Sequence, residues 1–111
     1  WSDKPRRWVH FGTDDFYITL NDNGEGGIRD LQGHSSGLAH FGLVVEDLEA
    51  VKRRLAEVGH TPRVLSGEHP HRDSAYYIEP AGFEVEFVQY FSQVPEEKNQ
   101  YGGETSALRT P

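Results

Sequence analysis

The chain has 111 residues, 35% hydrophobic and 26% charged, which suits one globular domain rather than a disordered segment. Its 11 basic side chains face 18 acidic ones, a formal charge of −7 that excludes a general grip on nucleic acid or on anionic membranes, since both need a basic face. Zero cysteines exclude disulfides, thiolate metal sites and thiol nucleophiles together. No apolar run approaches the ~20 residues of a membrane span, and nothing resembles a signal peptide, so cytoplasm is the default expectation.

In chain order, Trp8–Phe11 reads as a strand, Gly12–Asp15 as a polar turn and Phe16–Leu20 as a second strand, rich in aromatic and β-branched residues. Residues 22–37, glycine-rich with Asp, Asn and Ser, read as a linker. Leu38–Val45 is a strand whose alternation puts His40, Gly42 and Val44 on one face and Phe41, Leu43 and Val45 on the other. Asp47 stands where a helix N-cap belongs, with Glu46 and Glu49 suiting the positive end of the helix dipole. Leu48, Val51, Leu55 and Val58 recur at helical spacing, and Gly59 supplies the stop. Pro62–Leu65 is a short strand, Ser66–Asp73 a polar loop, Ala75–Glu79 a strand, Pro80–Gly82 a turn and Phe83–Phe91 a long strand. Beyond Ser92 the chain is polar and aperiodic and reads as a tail, 92–111.

Residues 9–20 fall on 76–87 without a gap: Val9-His10-Phe11 meets Tyr76-Tyr77-Ile78, and Phe16–Leu20 meets Phe83–Phe87. Two hairpins of similar length superpose easily, which is the plainer reading. The chain also contains no methionine and opens in mid-pattern at Trp1. The expectation is therefore that residues 1–21 close a first unit whose earlier part, about thirty residues, lies upstream, while 38–91 form a complete second unit.

Two segments resemble the vicinal oxygen chelate superfamily, which includes glyoxalase I, bleomycin-resistance and fosfomycin-resistance proteins and extradiol dioxygenases. Gly37–Leu48 is similar to its opening strand, with a His on the concave face and an acidic residue before the helix; Glu79–Phe87 is similar to its closing hairpin, where an acidic-Pro-x-Gly turn precedes a strand bearing a metal-ligand Glu. The resemblance implies an α+β fold of paired βαβββ modules, the first truncated at its N-terminus. It implies metal ligands at His40 and Glu86, a small-molecule substrate and a homodimer. The activity it implies is that of a metal-dependent lyase, isomerase or dioxygenase. A divalent ion (Zn, Mn, Fe or Ni, which N/O ligands alone do not distinguish) would chelate neighbouring substrate oxygens as a Lewis acid, with Glu86 as the catalytic carboxylate. The metal-free alternative is a bleomycin-resistance-like protein that sequesters a drug without chemistry. Thr19, a poor ligand at the position equivalent to Glu86, favours that alternative.

Each candidate also has a bland reading. A lone His is most often held by a backbone carbonyl; beside Gly42, which leaves room for a ligand, His40 is the best single choice for metal chemistry. Glu84, Glu86, Val88 and Tyr90 share one strand face, where Glu86 is costly unless paired or bound to a cation. Glu84, nearer the turn, reads as solvated. His69 and His71 form an H-x-H that reads as substrate-facing or exposed, with Arg72 receiving an anionic group or standing as a surface charge. Tyr77 and Glu79 read as cavity-lining and Tyr76 and Ile78 as packed beneath the helix, sets that a one-residue change of register exchanges. His10, aligned with Tyr77, and Thr19 are the substrate-binding candidates of the first hairpin. No nucleophile elbow or phosphate-binding glycine loop is present.

Overall fold

A computed structural model describes residues 5–28, 30 and 36–100. The expected linker falls partly, and residues 101–111 of the expected tail wholly, outside the described residues. Strands β1 (Trp8–Gly12) and β2 (Tyr17–Asn21) form a separate antiparallel hairpin. Then come β3 (Phe41–Val44), helix α1 (Leu48–Glu57), β4 (Val64–Leu65), β5 (Arg72–Ile78), β6 (Glu84–Tyr90) and a short helix α2 (Pro95–Lys98). The four later strands make one sheet in the order β3-β6-β5-β4, with β3 parallel to β6 and the other pairs antiparallel. Joining parallel neighbours requires a crossover, and α1 supplies it over one face of the sheet.

The helix forms where its local signals place it. The Asp47 side chain accepts from Ala50 N at 3.0 Å, and Glu49 occupies the first turn. At the far end Gly59 takes φ +88° while its N–H and that of His60 return to the carbonyls of Ala56 and Leu55. Val58 caps this end and is exposed, so it does not extend the apolar stripe. Leu48, Ala75 and Tyr77 form the core, with Val45, Leu55 and Phe87 packed against it. Full burial of Leu48 alone is worth about 2 kcal/mol. Gln89, on the same sheet face, accepts the Leu48 N–H at 2.9 Å and so satisfies a helix-start donor from across the interface.

In the first hairpin Thr13 closes the turn, its N–H reaching Phe16 O and its hydroxyl accepting from Asp15 N and Phe16 N. Gly12 is required there: φ is +146°, and a Cβ would lie 2.2 Å from Phe16 O. The open end is clamped by Arg7, whose backbone N and Nε both donate to Asp22 at 2.7 Å. Those two bonds hold the Asp22 carboxyl below its usual range.

Paired residues expose a gap in the repeat. His10 pairs with Thr19, but Tyr76, not Tyr77, pairs with Glu86. Residues 13–16 connect the first pair of strands and 79–83 the second, so the second connection is one residue longer. With Thr19 set on Glu86, His10 corresponds to Tyr76, and Val9, Phe11, Ile18 and Leu20 correspond to Ala75, Tyr77, Val85 and Phe87, the face that α1 covers.

Candidate functional site

The site lies on the sheet face away from α1. His40 immediately precedes β3; Gly42 pairs with Glu86, and Tyr76 pairs with Glu86 from the other side. Strand alternation therefore sends His40, Glu84, Glu86 and Tyr76 to one face. His40 Nε2 stands 3.6 Å from Glu86 Oε1, and Nδ1 stands 3.6 Å from Glu84 Oε1. The imidazole is thus bracketed by two carboxylates. Tyr76 packs edge-on against the ring, with centroids 5.3 Å apart.

Each carboxylate is held from behind. The Tyr76 hydroxyl donates to Glu86 Oε2 at 3.0 Å, leaving Oε1 towards His40. Burial, then the hydrogen bond to Glu86 and the charge of Glu86, push the Tyr76 phenol up to about 12, so it keeps its proton. Arg63 donates to Glu84 Oε2 from Nε at 2.7 Å and again from Nη2. Glu84 is buried at 7% exposure, which corrects its reading as a solvated carboxylate. Burial is tolerable because the guanidinium and the imidazole lie beside it.

His40, Tyr76 and Glu86 floor a cleft of about 510 Å³ that runs past Ser74 and Val88 to Arg72 and Tyr90, with the 66–69 loop as a wall. A hollow of about 660 Å³ shares that loop but includes neither His40 nor Glu86.

The remaining sequence candidates scatter. Tyr77 is corrected: it is buried beneath α1, edge-on to Phe87 at 5.7 Å, and Tyr76 takes the site-facing place. Glu79 is corrected too, since Oε1 accepts the Phe83 N–H and closes the turn. His69 has both ring nitrogens engaged, Nδ1 accepting from His71 N at 3.1 Å and Nε2 facing Gln100 O at 2.8 Å. A carbonyl only accepts, so Nε2 carries the proton and no lone pair is left for a metal. His71 is corrected from substrate-facing to structural: Nε2 lies 3.2 Å from Glu97 Oε2, and the ring is not part of the cleft. Arg72 lines the cleft and also donates to Lys98 O at 2.9 Å. His69, His71 and Arg72 together fasten residues 97–100. His10 stacks on Tyr17 at 4.1 Å and pairs with Thr19, at a hollow of about 330 Å³ that includes none of the groups around His40.

Among the described residues no three His, Cys, Asp or Glu side chains gather closely enough to hold a metal ion by themselves. No helix among them is long and apolar enough to cross a membrane.

No family model matches the chain, and no curated protein matches it significantly. Among solved structures, it is similar to a glyoxylase/bleomycin resistance protein/dioxygenase domain from Frankia sp. EAN1pec. The two share 18% identity over 89% of this chain and 75% of that one, with a TM-score of 0.62. The chain has the glyoxalase/bleomycin-resistance/dioxygenase fold. In this glyoxalase-like fold the parallel β3–β6 pair is what brings His40 and Glu86, far apart in sequence, onto one floor. Sequence reasoning missed Tyr76 and Arg63. A gap in the hairpin alignment would have revealed Tyr76, whereas nothing local marks Arg63 as reaching across β5 to Glu84.

Proposed function

We propose that the chain is a glyoxalase-like metal-dependent enzyme in which His40 and Glu86 hold a divalent ion facing a small, oxygen-bearing substrate in the 510 Å³ cleft. One observation carries the reading: the 3.6 Å between His40 Nε2 and Glu86 Oε1. That is shorter than two metal–ligand bonds of about 2.0–2.2 Å laid end to end, so one ion reaches both atoms. When bound, such an ion supplies Lewis-acid polarisation of substrate oxygens. The residues of this chain do the rest. Tyr76 keeps its proton and fixes Glu86 through Oε2. Arg72 and Tyr90, at the other end of the cleft, suit an anionic or aromatic substrate group. With two protein donors from this chain, the ion's further positions would be left to substrate, water or another ligand.

The second reading is metal-free sequestration of a small molecule. It is favoured by the absence of a third donor among the described residues. Calorimetric titration of tag-free, chelator-free protein with Mn, Ni and Zn separates the two. Saturable one-site binding, lost in His40→Ala and Glu86→Gln, is expected; a wild-type protein indifferent to all three ions overturns the enzyme reading. A homodimer belongs to the same proposal, motivated by the exposed Val9, Phe11 and Leu20 on one hairpin face. A protein that sediments as a monomer at all concentrations contradicts that part.

A further inference from the structure

Two side chains that line the cleft give a donor to the same stretch of backbone. Arg72 Nη1 donates to Lys98 O at 2.9 Å, and His69 Nε2 donates to Gln100 O at 2.8 Å. Lys98 ends α2 and Gln100 follows it closely. The rest of that helix is anchored from outside the cleft. Glu97 lies 3.2 Å from His71 Nε2 and accepts from Ser92 Oγ at 2.8 Å, and none of these three side chains lines the cleft. Lys98 Nζ stands 4.8 Å from the centre of the Tyr90 ring, which is a cleft wall, so a second cation joins Arg72 at this end. Among the described residues the carboxylates lining the cleft are Glu68, in the wall loop, and Glu86, on the floor.

We propose that residues 98–100 are an autoinhibitory strap: the carbonyl oxygens of Lys98 and Gln100 hold the place of a ligand's oxyanion, a carboxylate or phosphate, which displaces them from Arg72 and His69. A guanidinium bonds an oxyanion roughly twice as strongly as a neutral carbonyl, so the exchange runs towards the anion when one is present. His69 needs no change of protonation for this. Its Nε2–H donates to either acceptor, while Nδ1 keeps the His71 N–H at 3.1 Å. A competitor within the chain lowers apparent affinity by the fraction of time it is away. That the anion is one end of a substrate rests on the cleft reading above, but the exchange itself needs no metal ion.

The test is titration of the metal-free full chain with inorganic phosphate and, in a separate arm, with malonate, at constant ionic strength, followed by ¹H–¹⁵N NMR. The arm that binds more tightly names the oxyanion. Saturable shifts of the Arg72 Nε and His69 ring signals are expected. The amides of 98–100 should gain fast motion as the anion binds, while the His71 amide, bonded to Nδ1, stays unchanged. Two charge-neutral replacements outside the cleft loosen the strap. Ser92→Ala removes the hydroxyl that donates to Glu97 and accepts from Val94 N, and Pro95→Gly increases the entropy lost in forming the first turn of α2. Each should tighten anion binding, and both together by about tenfold, the factor for a strap closed about nine-tenths of the time. Arg72→Met should abolish binding. Anion binding that leaves the 98–100 amides rigid, equal affinity in the wild type and the double variant, or no saturable binding by either protein overturns the proposal. Exchange of strap for anion in a chain indifferent to Mn, Ni and Zn sinks the metal reading and leaves the strap standing.

Discussion

Replacing Gly42 by Ala separates stability from site function. Gly42 lies in β3 opposite Glu86, with none of the positive φ that would demand glycine. An added Cβ would stand 3.2 Å from Glu86 Oε1, with Cδ at 3.9 Å and Cβ at 4.0 Å. Backbone and Glu86 Cβ are thus clear, and only the carboxylate must retreat, by a few tenths of an ångström (about 0.3 Å) to reach ordinary contact. That oxygen is the one facing His40, and its twin is tied to Tyr76 at 3.0 Å, so the retreat disturbs both relations. We predict a loss of Mn affinity of about tenfold, or about 1.4 kcal/mol. The strand itself gains from losing a glycine, by about 0.5–1 kcal/mol before crowding is subtracted. Calorimetry should therefore show weaker ion binding while the melting temperature holds or rises. Unchanged affinity would refute the assignment of Oε1 as a ligand atom, and a parallel fall in both quantities would show a general disruption instead.

Phenolate absorbance should reveal a tyrosine that titrates near 12 and disappears in Tyr76→Phe. Because its folded pKa lies above the unfolded value of 10.0, the stability it lends is whole below pH 10 and lost as pH rises towards 12; an equally large step in the variant contradicts this. Asp22 behaves oppositely, its folded pKa lying below 3.8: the Arg7 clamp contributes above that value and fails as pH falls through the lower one. Protection of the Arg7 amide against exchange, relative to an unfolded chain at the same pH, should fall in that acid window for the wild type and be low at every pH in Asp22→Ala. The buried Tyr77 hydroxyl has no hydrogen-bond partner among the described residues, so Tyr77→Phe should hold or raise stability by about 1 kcal/mol. Tyr77→Ala should cost about 3–5 kcal/mol, both read by denaturant unfolding. A change in ion binding by Tyr77→Phe at constant stability would contradict its place beneath α1.

What the sequence made legible was local. Asp47, the Leu48–Leu55 stripe and Gly59 specify a helix through short-range capping and periodicity, and the helix lies where they place it. Alternation and resemblance single out His40 and Glu86, and the structure brings them within 3.6 Å. Tyr76 was hidden because a period-two pattern inverts when one residue is added to a turn, and the connection 79–83 carries such an addition relative to 13–16. The burial of Glu84 is not legible locally because it depends on Arg63, which lies just before β4, a strand that is not the neighbour of β6. His71 likewise faces Glu97 because a short helix forms at Pro95–Lys98, in a segment whose polar composition gives no periodic signal.

The most direct measurement is anomalous diffraction from crystals of the chain grown with Mn or Zn. One anomalous peak is expected in the cleft, about 2.1 Å from both His40 Nε2 and Glu86 Oε1, and no peak there in His40→Ala crystals. A peak elsewhere, or none in wild-type crystals at saturating metal, would contradict it.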